Sequence, residues 1–122
     1  MRVMPKFGKS SRLARPTDFQ SVKRRGKSVR SGGLTVAAVS GSRRRLGIIV
    51  TRRIGNAVVR NRLKRVIREH FRNNREVFPK GDCVVIPGAG SAGLTNEMLR
   101  VNLSKALGLL ALKLTPVIRE KG

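Results

Sequence analysis

The sequence has no tryptophan, no tyrosine and four phenylalanines, so aromatic residues make up only 3% of its 122 residues. A surface that holds nucleotides mainly by stacking them on rings, at ~1–3 kcal/mol per base, is therefore thinly supplied. Cysteine occurs once, as Cys83, which excludes a disulfide framework and a thiolate metal cluster. Within Asp82-Cys83-Val84-Val85-Ile86 it reads as a small buried strand residue. Histidine also occurs once, as His70, and the six acids are Asp18, Glu69, Glu76, Asp82, Glu97 and Glu120. They are scattered, and no two sit at a spacing that shares a metal on one helix face. A protein nuclease needs a carboxylate cluster or an acid–base pair, so no catalytic residue and no metal ligand is assigned. No apolar run approaches the ~20 residues of a membrane span. Met1-Arg2-Val3-Met4-Pro5-Lys6 lacks the apolar stretch of a secretory signal. These absences favour a cytoplasmic protein with no membrane partner.

What the sequence has in excess is positive charge. Lys and Arg number 28 against those 6 acids, a formal net charge of +22. A compact domain of that charge repels itself and calls for a polyanionic partner, of which nucleic acid is the commonest. Hydrophobic residues are still 39% of the chain, enough for a modest core, so the charge is added to a folded domain. One domain over residues 15–115 is expected, with a basic arm at 1–14 and a short tail at 116–122.

Periodicity and breakers outline its elements. Pro16 at a first helical position and Gly26 as a stop bracket a short helix with Phe19 and Val22 on its apolar stripe. Residues 26–31 suit an edge strand. After Gly32-Gly33, Leu34 to Val39 is a β-rich run, and Ser42-Arg43-Arg44-Arg45 suggests a hairpin into a third strand, Leu46 to Thr51. Asn56 suits the N-cap of a long helix ending near Asn73. Pro79-Lys80-Gly81 precedes a fourth strand, Asp82 to Ile86, and Pro87 to Ser91 reads as a loop. A last helix runs from its Thr95 N-cap to about Leu114, with Pro116 beyond. Leu99, Leu103, Leu107, Leu110 and Leu114, with Val101, form its broad apolar face. The order α-β-β-β-α-β-α predicts an α+β sandwich on a four-stranded sheet.

The long helix carries the functional signal. At ~100° per residue, Val59, Leu63, Val66, Ile67, His70 and Phe71 fall on one side and should pack on the sheet. Arg60, Asn61, Lys64, Arg65, Arg68 and Arg72 cover most of the opposite side, and Arg62 lies on the flank near Val58 and Glu69. Residues 57–72 at ~1.5 Å each make a basic rod of roughly 24 Å, long enough for several consecutive phosphates. Most charge runs are solvated faces, but those mix Glu with Lys at i, i+4. Here Glu69 is the single acid, and the like charges strain the helix unless a partner neutralises them. Arg52 and Arg53 extend the patch. Arginine in preference to lysine suits bidentate phosphate and base-edge contacts. The wheel alone does not separate RNA from DNA, although helix-turn-helix spacing and zinc-finger ligands are both missing.

The stretch Gly55-Asn56-Ala57-Val58-Val59-Arg60-Asn61-Arg62-Leu63-Lys64-Arg65-Val66-Ile67-Arg68-Glu69 resembles the signature of the bacterial ribonuclease P protein family. The likeness extends to Asp18-Phe19-Gln20, Gly26-Lys27-Ser28 and Val84-Val85-Ile86, and covers about residues 12–114. Such a resemblance implies the protein subunit of a ribonucleoprotein endoribonuclease, monomeric within it, whose RNA performs the chemistry. The partners would be catalytic ribonuclease P RNA and precursor tRNA, with Mg2+ held mainly by the RNA. It implies a ribosomal-protein-like fold with a left-handed β-α-β crossover, rare among such connections. By position, Arg60, Asn61, Arg62, Lys64, Arg65 and Arg68, supported by Arg52, Arg53 and Asn56, would dock the catalytic RNA. Phe19, Lys23, Arg30 and Ala37 would line the cleft for the single-stranded 5′ leader. Lys23 and Ala37 stand where relatives often carry aromatics, so this cleft would rely more on the charge of Lys23 and Arg30. Read from the sequence alone, Phe19 serves as well as a core residue. The Arg often found before Pro-Gly is missing after Ile86. A ribosomal protein that only cements folded RNA fits the composition equally; the Gly55–Glu69 motif is what separates the two.

Overall fold

A computed structural model describes residues 16–114. The arm, the tail and Pro116 lie outside them. Three helices pack on a four-stranded mixed sheet: α1 (Pro16–Arg25), β1 (Lys27–Ser31), β2 (Leu34–Ser40), β3 (Arg45–Ile48), α2 (Ala57–Asn73), β4 (Gly81–Pro87) and α3 (Asn96–Leu114). Short 3-10 turns at Arg52–Ile54, Arg75–Val77 and Ala89–Gly93 join them, the last overlapping the end of the stretch expected as a loop. No helix among the described residues is long and apolar enough to cross a membrane.

The expected element order holds; one expected pairing does not. The sheet order is β1-β2-β4-β3, with β4 antiparallel to β2 and parallel to β3. β2 and β3 therefore do not form a hairpin. A tight hairpin turn needs residues at positive φ, as at Gly32 (φ 61°) and Gly33 (φ 83°) between β1 and β2. The stretch from Gly41 to Arg45 has none. β4 instead takes the centre: Cys83, Val84 and Val85 are each buried, as an apolar run covered on both faces should be. β3 is shorter than the Leu46–Thr51 expected. Its ladder ends after Ile49 N–H donates to Val85 O at 3.0 Å, because the next donor on β4 would be Pro87, which has no N–H.

Two cores result, one on each face of the sheet. Val36, Ala38, Leu46, Cys83 and Val85 meet Leu63, Val66, Ile67 and Phe71 of α2 and Leu99, Leu103, Leu107 and Leu110 of α3. Phe71 and Phe78 stack edge to face, centroids 5.0 Å apart, a favoured ring geometry. On the other face Val22 of α1 packs on Ala37 and Val84, with Phe19 partly buried beside them. Gly26 is required where α1 meets β2, since a Cβ there would collide with the Ala38 carbonyl. Val101, read with the apolar face of α3, lies on its solvent side, 39% exposed; two residues from Leu99 is more than half a helical turn.

Candidate nucleic-acid interface

α2 links β3 to β4 across the sheet, and its two faces separate as the wheel requires. Leu63, Val66, Ile67, His70 and Phe71 are buried, Val59 packs against them, and Asn61 and Arg65 are exposed. The start of the helix is fixed by Asn56, whose Oδ1 accepts from the Val59 N–H at 3.0 Å, satisfying one of the free donors of the first turn. Arg52 and Arg53 sit exposed in the 3-10 turn just before it.

The arginines of the helix divide into two kinds. Arg60 donates through Nη1 to the Gly55 carbonyl at 2.7 Å, which orients its guanidinium across the helix entry. Arg62 is tied more firmly: Nη1 donates to Asn96 Oδ1 at 2.7 Å and Nη2 to the Ala92 carbonyl at 3.0 Å. It thus bridges α2 to the start of α3. A guanidinium has five N–H donors, so three remain on Arg62 and four on Arg60 after these bonds. Arg65 and Asn61 project outward, while Lys64 and Arg68 are half-buried at the flank. Arg72 holds its Nε buried without a partner among the described residues. The tether of Arg62 was not legible in the sequence, although its flank position, apart from the other basic residues, was a signal. Val58, 77% exposed, adds an apolar contact surface to this side that charge counting passes over.

The residues assigned to the leader cleft lie on the opposite sheet face. Phe19 and Ala37 come together under α1 in one cluster. Ala37 is 2% exposed, so it forms the floor beneath the helix and presents no surface of its own. Lys23 on α1 and Arg30 on β1 are exposed. Arg30 borders an open cleft of about 410 Å3 whose other walls are Thr35 and the glycine-rich turns around Gly33 and Gly88.

His70 is buried between α2 and α3, with Nε2 3.0 Å from Ser104 Oγ. Burial, and then the charge of Arg100, push its pKa below 6.5, so it is held neutral in the packed core. Burial, then the neighbouring Asp82, push the Cys83 thiol up to about 12, which leaves it protonated and unreactive. Among the described residues no three His, Cys, Asp or Glu side chains gather to hold a metal ion.

A sequence model of the Ribonuclease P family matches residues 7–111. The chain belongs to that family. It is 41% identical over 114 residues to the ribonuclease P protein component of Syntrophobacter fumaroxidans, covering 86% of this chain and 96% of that one. With the protein component of Staphylococcus haemolyticus it shares 37% identity over 101 residues, 81% and 89% of the two chains. The fold agrees. The RNase P protein of Staphylococcus aureus superposes with a TM-score of 0.78 at 31% identity, over 83% of this chain and 95% of that one. That of Thermotoga maritima gives 0.70 at 38% identity, over 81% and 94%. The α+β architecture of three helices on a four-stranded mixed sheet is thus that of ribonuclease P proteins. In this chain the Arg60-Asn61-Arg62 stretch lies in the first turns of α2, just after the 3-10 turn that carries Arg52 and Arg53.

Proposed function

We propose that this chain is the RNA-binding protein subunit of ribonuclease P, docking on the catalytic RNA through α2 and receiving the 5′ leader of precursor tRNA on the α1 side of the sheet. The observation that carries the reading is the division of α2: one side is the core, and the other is cationic over most of the helix's length, with Glu69 its single acid. Arg65 and Asn61 meet the backbone first. Lys64 and Arg68 flank them, and Arg60 and Arg62 bring donors already oriented by their contacts to Gly55, Asn96 and Ala92. Arg52, Arg53 and Asn56 widen the face at its entry. Orienting a guanidinium before binding lowers the entropy lost on contact. On the other face Phe19, Lys23 and Arg30 meet the leader, above a floor at Ala37, and charge does more there than stacking.

The protein lowers the repulsion between two polyanions, and the RNA carries the hydrolysis. Magnesium belongs mainly to the phosphates of that RNA. Working beside that RNA places the chain in the cytoplasm, as a monomer in the ribonucleoprotein.

The test is precursor-tRNA cleavage by the cognate RNA at low magnesium, with and without the protein. Stimulation that is lost on replacing Arg60, Arg62 and Arg65 together establishes the subunit role. Tight RNA binding without stimulation would make the chain a structural RNA-binding protein of the ribosomal kind.

A further inference from the structure

α1 lies across the middle of its sheet face, over Ala37 and Val84, and so divides that face in two. Along β2 the side chains of Thr35, Ala37 and Val39 share one side. Thr35 opens to the cleft beside Arg30. Val39 opens, beyond α1, to a second cleft of about 330 Å3 bounded by Arg25, Ser40, Ser42, Arg43, Arg45 and Asp82. The sheet register assembles it: Ser40 stands opposite Gly81, and Arg45 opposite Asp82. The last turn of α1 brings Lys23, Arg24 and Arg25 to the same end.

The electrostatics of this cleft are lopsided. Asp82 is its one acid, and Arg45 neutralises it through a bidentate pair at 2.8 and 2.9 Å. Arg25 spends one N–H on Ser21 Oγ at 2.8 Å. Arg43 is exposed. Two guanidinium groups and the Ser42 hydroxyl therefore line the cleft with no acid among its walls left to balance them. A solvated charged face would interleave acids; this one has used its single acid to brace the wall.

We infer that the second cleft is a phosphodiester site, in which Arg25 and Arg43 hold a backbone phosphate of RNA and the Ser42 hydroxyl donates to its oxygens. Guanidinium–phosphate contacts of this kind are charge-assisted and bidentate. The site is separate from the α2 face. β3 and β4 run parallel, so α2 starts at the end of the sheet where β3 stops and returns to the end where β4 begins, beside this cleft. Seventeen residues of helix at ~1.5 Å each span roughly 25 Å, so the cleft engages a different stretch of backbone from the one at Arg60 and Asn61. The inference rests on the proposed RNA-binding role and assigns that role a second contact.

The test uses the full-length chain with cognate ribonuclease P RNA, and the assembled holoenzyme with precursor and mature tRNA. The double variant Arg25→Ala/Arg43→Ala is compared with Arg65→Ala, and thermal melting verifies that each is folded. A fall of about one unit in the log–log salt dependence of binding to the catalytic RNA identifies that RNA as the source of the phosphate. An unchanged dependence there, with a several-fold loss of the holoenzyme's preference for leader-bearing precursor over mature tRNA, identifies the leader instead. A folded double variant that moves neither quantity, while Arg65→Ala lowers the salt dependence by about one unit, overturns the second site alone. If Arg65→Ala is silent as well, the RNA-binding reading of α2 fails with it.

Discussion

α2 and α3 lie side by side on the same sheet face, bury similar rows of apolar side chains, and differ in what they show to solvent. α2 presents Asn61 and Arg65, flanked by Arg60, Lys64 and Arg68. α3 presents Met98, Val101, Leu109 and Leu112, the last 73% exposed. Folding explains the inner faces of both helices in the same terms. It explains neither outer face, because exposed positions contribute little to stability. The cationic outer face of α2 is therefore the one to be read for function, and it is costly for an isolated helix to keep.

The largest effects should appear where the two helices are alike. Leu63→Ala in α2 and Leu103→Ala in α3 remove fully buried side chains, and each should cost about 2–5 kcal/mol in urea unfolding. A much smaller loss at either position would mean that helix is not part of the common core. Arg62→Ala should come next, since it removes both bonds from α2 to Asn96 and Ala92. Hydrogen bonds to a charged donor suggest about 1.5–3 kcal/mol, discounted toward the lower end for a half-exposed group. If Arg62 only contacts RNA, the free protein's stability will not change.

Where the helices differ, stability should hardly move. Arg65→Ala and Leu112→Ala are each expected to stay within about 0.5 kcal/mol of the parent. Only Arg65→Ala should lower the salt dependence of RNA binding, by about one unit. Equal effects from both would erase the distinction between the two outer faces. The smallest effect concerns their seam. The folded state holds His70 neutral below its ordinary pKa of 6.5, whereas the unfolded chain protonates near that value. Below it the unfolded state binds more protons, so stability is complete above about pH 6.5 and falls as the pH drops toward the lowered folded pKa. Urea midpoints at pH 7.5 and 5 should show this slope, and His70→Gln should flatten it. An unchanged slope in that variant would assign the acid sensitivity elsewhere.

Local signals located the elements well. Pro16 and Gly26 bound α1, Asn56 and Thr95 accept from Val59 N–H and Met98 N–H as N-caps, and the glycine pair turns β1 into β2. Each of these is decided within a few residues of chain, where side-chain chemistry and backbone sterics act directly. The placing of β4 between β2 and β3 is of another kind, because Ala37 and Val84 are neighbours only after the chain has crossed the sheet. No local pattern distinguishes a strand that will pair with its predecessor from one that waits for a later partner. The exposure of Val101 was lost in a helix that is apolar nearly all round, so that periodicity carried little information.

The candidate site was legible to the same extent. A helix wheel separates Arg65 from Ile67 because both lie on one rigid element, and the motif from Gly55 to Glu69 points to the family. By itself, then, the sequence determined the charge, the order of elements, the two faces of α2 and the lineage, all properties of contiguous chain. Only the tertiary structure decided that Arg62 braces α2 against α3, that Ala37 is covered, and that Arg45 neutralises Asp82 at the mouth of a second cleft. Each of those joins residues far apart in the chain, and a contact of that kind exists only once the core has packed and brought them within a few ångströms.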